Sequence, residues 1–119
     1  MSNEGNGARW LVSAGAVLAA AAVALSAYAA HGAEGEAQTR LQTAAVFAFG
    51  HGIALAALAR GSLRRLAWIA LVAILCGTLL FSGALALAEI AGVRTRTAPF
   101  GGTLLIIAWL LYAIDALRK

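Results

Sequence analysis

A single cysteine, a single proline and only five acidic residues occur in 119 positions. Cys76 has no second thiol to join, which excludes an intramolecular disulfide and a cysteine metal cluster. Inside an apolar run it reads as a small packing residue. Charge is scarce as well. Charged residues make up 12% of the chain, about half the share of a soluble domain, whereas 62% is hydrophobic and the mean hydropathy is +0.86. Water is the wrong solvent for such a chain. A separate soluble module has no room beside the apolar blocks, so one domain over residues 1–119 is expected.

The motifs of catalysis are missing too. The sequence holds no Ser-His-Asp set, no H-E-x-x-H metal spacing and no glycine-rich phosphate loop. Gly101-Gly102 beside Pro99, the lone proline, reads as a helix entrance rather than a phosphate cradle. Neither an enzyme, a cofactor nor a metal site is expected. The net charge of +4 comes from nine Lys and Arg against five Asp and Glu. The basic residues fall between apolar blocks, a pattern suited to lipid headgroups and topology, so the bilayer is the expected partner and nucleic acid is not.

Four blocks are long enough to cross a membrane: residues 10–30, 38–59, 66–88 and 100–116. Roughly twenty residues at about 1.5 Å each cover the ~30 Å hydrocarbon layer. Unpaired backbone groups are too costly in lipid, and the blocks lack the polar alternation of barrel strands, so helices are required. The fold class is therefore all-α, an integral membrane four-helix bundle. Gly61 can end helix two in a left-handed conformation, with Ser62 capping helix three. Thr97 can cap helix four, with Pro99 in its first turn. Glu36 and Arg40 stand four apart on the first turn of helix two.

Lys and Arg accumulate on one side of these crossings. Arg9, Arg60, Arg64, Arg65, Arg118 and Lys119 share a face, against Arg40, Arg94 and Arg96 on the other, which predicts cytoplasmic termini. Arg9, the apolar run after it and Ala27-Tyr28-Ala29 also fit a cleavable signal peptide. The stretch exceeds a usual signal core, and an uncleaved helix is the expectation.

Small residues mark where helices can approach, because lipid tails give no hydrophobic drive between helices and close packing takes its place. Helix one offers Gly15, Ala16, Ala19, Ala20, Ala24 and Ala27; helix two Ala44, Ala48 and Gly52; helix three Gly77, Ala84 and Ala88, with Ser82 and Gly83 beside them. Helix four is bulky all round, as a lipid-facing or partner-facing helix would be.

His51 is the residue that lipid does not explain. Thirteen positions after Gln38, it falls about 20 Å deep, at or just past the midplane. A charge there costs about 2.5 to 3.5 kcal/mol on insertion scales, so a neutral ring turned into the bundle is expected. Thr78 and Ser82 on helix three are its best hydrogen-bonding candidates by depth. His31 lies at the outer end of helix one, where Glu34, Glu89 and Arg94 can meet it. The depth difference between the two histidines, about 20 Å on this topology, prevents one haem from bridging them. The candidate polar cluster is thus His31, His51, Thr78, Ser82, Glu89 and Arg94.

Ser26-Ala27-Tyr28-Ala29-Ala30-His31, the mid-helix His51, the run Gly77 to Gly83 and the run Thr97 to Gly102 together resemble the sequential signatures of the YgdD-like small inner-membrane proteins. That resemblance implies four transmembrane helices in a bacterial inner membrane and supplies no activity, the family being a domain of unknown function. Two functional expectations follow. The first is a non-catalytic membrane protein that associates, as a homo-oligomer or as an accessory subunit of other membrane proteins. The alternative is a minimal proton-coupled or small-solute carrier that uses His51 at the midplane and His31 with Glu89 at the outer mouth. Small four-helix exporters resemble one another in a glutamate within the first helix, and none stands in the apolar part of helix one here.

Overall fold

A computed structural model describes residues 2–118, with side chains from Ala8 to Arg118. It contains four helices: α1 (Ser2–Gly32), α2 (Gly35–Leu58), α3 (Arg65–Ile90) and α4 (Ala98–Leu117). Each holds a stretch long and apolar enough to cross a membrane. The expected crossings all appear, extended by up to three residues at most ends and by eight at the start of α1. The molecule measures 47 × 23 × 20 Å, and its long axis follows the helices.

Two loops stop their helices through glycine. Gly92, at φ 71°, follows α3, and the Val93 N–H donates back to the Leu87 carbonyl at 3.1 Å, folding the chain over the helix end through a left-handed residue that glycine supplies without strain. Gly61, at φ 79°, turns the chain after α2 as the sequence suggested. The proposed caps differ. α3 starts after Arg64, not Ser62, and has no side-chain cap. Thr97 does precede α4 and Pro99 lies in its first turn, but the Thr97 hydroxyl donates to the Leu80 carbonyl of α3 at 3.2 Å instead of capping its own helix. It ties a loop to a neighbouring helix.

The helices pack in sequence order, α1 on α2, α2 on α3 and α3 on α4, with a light touch between α1 and α3. At the backbone, α4 approaches neither α1 nor α2 among the described residues. Two of the three seams are glycine crossings. A Cβ on Gly15 would stand 2.5 Å from the Gly52 carbonyl oxygen, and one on Gly52 would stand 2.7 Å from the Gly15 oxygen. A Cβ on Gly77 would fall 3.0 Å from the Gly101 oxygen, and one on Gly101 2.7 Å from the Gly77 oxygen. The chain is thus two tightly closed hairpins, α1–α2 and α3–α4, joined along α2 and α3. The apolar core lies at one end, where Leu11, Leu55, Ala59, Leu71, Ile74, Leu105 and Ala108 gather.

The small-residue pattern was only partly about internal packing. Gly15, Ala44, Ala48, Gly52, Gly77 and Ala84 are buried as read, but Ala16, Ala20, Ala24 and Ala27 of α1 are exposed. Bulky side chains also face outward all along the molecule: Val17 and Val46 are exposed, and so are Leu79, Phe100, Ile106 and Leu110. An apolar surface on every helix, with all backbone groups paired inside helices, fits lipid as solvent.

Candidate functional site

His51 projects from the middle of α2 onto the face shared with α3 and α4. Its Nδ1 lies 2.8 Å from the Phe47 carbonyl oxygen one turn earlier. Trp109, on α4, donates its indole Nε1–H to His51 Nε2 at 3.1 Å. An indole is a donor only and a carbonyl an acceptor only, so the two bonds define one neutral tautomer, with the proton on Nδ1 and the lone pair on Nε2. Both ring nitrogens are thereby satisfied within the chain. Aromatic rings surround the imidazole: Phe47 stacks nearly parallel at 5.8 Å and 17°, Trp109 lies tilted at 5.9 Å, Phe81 meets Phe47 at 4.6 Å, and Tyr112 stands edge-on to Trp109 at 6.1 Å.

The hydrogen-bonding partners expected for His51 are not the ones it has. Thr78 is fully buried and donates to the Ile74 carbonyl of its own helix at 2.7 Å. A threonine hydroxyl can always reach the carbonyl four residues back, and that local bond takes the donor before a neighbouring helix can. Ser82 is buried as well and donates to the Ala44 carbonyl of α2 at 2.9 Å. It does clasp α2 to α3, at the backbone of Ala44 rather than at the imidazole. Gly52 permits the close approach expected beside His51, whereas a Cβ on Gly50 would meet nothing within 4 Å.

The polar residues at the end of the bundle that holds the α1–α2 and α3–α4 loops are divided. Glu89, whose side chain is 8% exposed, pairs at 3.1 Å with Arg40, which also holds Glu36 at 3.2 Å in the i,i+4 pair foreseen. His31 and Arg94 do not join Glu89. His31 is exposed on the last turn of α1 and lines a polar hollow of about 410 Å³ with Glu34 and Gln38, while Arg94 stands exposed in the loop before α4. The six polar residues singled out in the sequence are therefore not one cluster: His51 is bonded to Phe47 and Trp109, Thr78 to its own helix, Ser82 and Glu89 link α2 to α3, and His31 and Arg94 lie exposed. Ser26 adds a further link, donating to Gln42 Oε1 at 3.2 Å across α1 and α2. Among the described residues, no three His, Cys, Asp or Glu side chains come close enough to share a metal ion.

Two residues escaped the sequence reading. Trp109 belongs to the bulky helix expected to face lipid or a partner, yet an indole N–H in an apolar helix needs an acceptor, and the His51 imidazole offers it. Asp115, near the end of α4, carries a carboxylate oxygen, Oδ1, that is buried with no hydrogen-bond partner. A lone acid among leucines so near a helix end was the available signal.

Fold and composition together define a small multi-pass α-helical membrane protein. The family described as a protein of unknown function (DUF423) matches residues 25–102, a span that includes His31, His51, Thr78, Ser82 and Glu89 and stops before Trp109. A UPF0382 membrane protein of Haemophilus influenzae is 38% identical over 105 residues, covering 82% of this chain and 85% of the relative. No solved structure matches. The chain belongs to the DUF423 family, and the resemblance to a small membrane family of unknown function is correct.

Proposed function

We propose that the protein works by association in the membrane, as a homo-oligomer or as an accessory subunit of other membrane proteins, and that it performs no catalysis. A groove of about 620 Å³ between α1 and α2 carries this reading. Its floor and walls are mostly small, Ala22, Ser26, Ala27 and Ala30 on one side and Ala45 and Gly50 on the other, with Val23, Val46 and Phe49 at its edges, and the exposed Ala20 and Ala24 continue its α1 wall. Small residues let a neighbouring helix come close enough for van der Waals packing, the main attraction left between helices in lipid. Ordinary lipid-facing surface looks like α4, where Phe100, Ile106 and Leu110 are exposed. The α1–α2 groove has the composition of an interface and no helix of this chain in it.

The carrier reading draws less support, since His51 is bonded only to Phe47 and Trp109, and no acidic side chain among the described residues is bonded to it to carry a proton onward. A bacterial inner membrane with cytoplasmic termini is the setting that the basic residues favour. Filling the groove tests the proposal. Ala27→Leu with Gly50→Leu is expected to convert the associated form to monomer, read by single-molecule photobleaching in native-lipid particles, with helicity unchanged. A wild-type chain that is already monomeric and copurifies with nothing contradicts it.

A further inference from the structure

The two glycine-locked hairpins differ in how they can separate. Within each, backbone meets backbone, at Gly15 and Gly52 in one and at Gly77 and Gly101 in the other. Between them the polar links are few: Arg40 to Glu89 at the outer end, Ser82 to the Ala44 carbonyl, and Trp109 to His51. The third is unlike the others. It joins α4 to α2, helices with no close backbone approach, and it depends on an unprotonated nitrogen.

We propose that the His51–Trp109 bond is a proton-operated latch between the α1–α2 and α3–α4 hairpins, closed while His51 is neutral and released when Nε2 takes a proton. The chemistry is one-sided. A protonated imidazole has two N–H donors and no acceptor, and the indole is donor only, so protonation places two donors head to head and ends the bond. The bond to Phe47 survives, because Nδ1–H donates in both states and does so more strongly from a charged ring. The parallel face of Phe47, 5.8 Å away, is also placed to attract the imidazolium. His51 stays with its own helix; α4 lets go.

Few other charges face this point. On α3 the nearest titratable group in register is the Cys76 thiol, which is exposed. On α4 they are the Tyr112 hydroxyl and Asp115, the latter six residues from Trp109 or about 9 Å along the axis. On α2, Arg40 is occupied by Glu36 and Glu89. α1, packed on α2 at Gly15, carries Arg9 about 9 Å from that crossing. None of these is bonded to the imidazole, which leaves His51 as the switchable element of the link. The latch is independent of the association reading, and its test does not depend on oligomeric state.

The experiment uses the full chain in lipid nanodiscs. Trp10→Phe and Trp68→Phe leave Trp109 as the sole tryptophan, excited beyond the tyrosine band, and Cys76→Ser with spin labels at Ala57 of α2 and Ala113 of α4 reports the gap between hairpins. Across about pH 4 to 9, the latch predicts a one-proton step in Trp109 emission and a lengthening of the label distance with the same midpoint. In His51→Gln, whose amide oxygen can still accept from Trp109, both changes are lost and the short distance persists. In Trp109→Phe, the long distance is present at every pH. Flat emission with His51 in place overturns the proposal, as does an emission step without a distance change. A transition retained in His51→Gln also overturns it, by assigning the change to carboxylates such as Glu89 or Asp115.

Discussion

Gly15 and Gly52 meet carbonyl to Cα across α1 and α2, each standing where the other's Cβ would go, at 2.5 and 2.7 Å from the opposing oxygen. Both listeners in this contact are backbone atoms, which cannot rotate away as a side chain would. Gly15→Ala or Gly52→Ala is therefore expected to force the hairpin apart and lower stability by about 1–3 kcal/mol, the usual range for overpacking. Gly50→Ala supplies the control, since nothing lies within 4 Å of its Cβ position, and a helical alanine gains about 0.5–1 kcal/mol over glycine. Unfolding by denaturant in mild detergent, followed by circular dichroism, separates the opposite signs.

Ser82 and Thr78 occupy neighbouring turns of α3 but bond differently. Ser82→Ala removes a bond to another helix, for which about 0.6 kcal/mol is typical in membrane proteins and about 1.7 an upper value. Thr78→Val removes a bond to the residue's own helix, where the Ile74 carbonyl already has its backbone donor. The same unfolding assay is expected to rank Ser82→Ala as the costlier change.

Arg40 and Glu89 are unequal partners. Removing the Glu89 charge leaves Arg40, 44% exposed, with water and Glu36. Removing Arg40 leaves a nearly buried carboxylate at the C-terminal end of α3, where the helix dipole repels it. Arg40→Gln is expected to destabilise more than Glu89→Gln, with the ~3–5 kcal/mol for breaking a buried pair as an upper bound because Arg40 is half exposed. Glu36→Gln, acting on an 87% exposed side chain, is expected to change stability by no more than about 0.5 kcal/mol.

The positive-inside pattern makes its own prediction. In a Cys76→Ser background, single cysteines at Ala33 and Thr95 are expected to react with a membrane-impermeant maleimide added to intact cells. A cysteine at Ser62 is expected to react only after the membrane is opened.

The crossings were legible in the sequence because length and apolarity suffice to specify a helix in lipid, and residues 38–59 and 66–88 needed nothing else. Position along the axis was legible for the same reason: a fixed rise per residue places His51 well inside α2, away from both of its ends. Direction around the helix axis was not. Thr78 and Ser82 stand at a suitable depth for His51, but their hydroxyls had nearer acceptors in Ile74 and Ala44. Trp109 reached His51 from a helix that does not touch α2 at the backbone. Gly101 looked like part of a helix entrance and proved to be half of a crossing with Gly77. The alanines of α1 had the right composition for packing, yet most of them, Ala16, Ala20, Ala24 and Ala27, face outward. A list of small residues does not say whether the helix that fills their groove belongs to the same chain.

The imidazole of His51 tests the account most directly. In bilayers containing protein with ¹⁵N-labelled histidine and tryptophan, solid-state NMR at neutral pH is expected to show Nδ1 protonated and Nε2 accepting, with a through-space correlation from Nε2 to the Trp109 indole proton. A ring protonated on Nε2, or one whose Nε2 correlates with water instead of Trp109, contradicts the arrangement on which the latch depends.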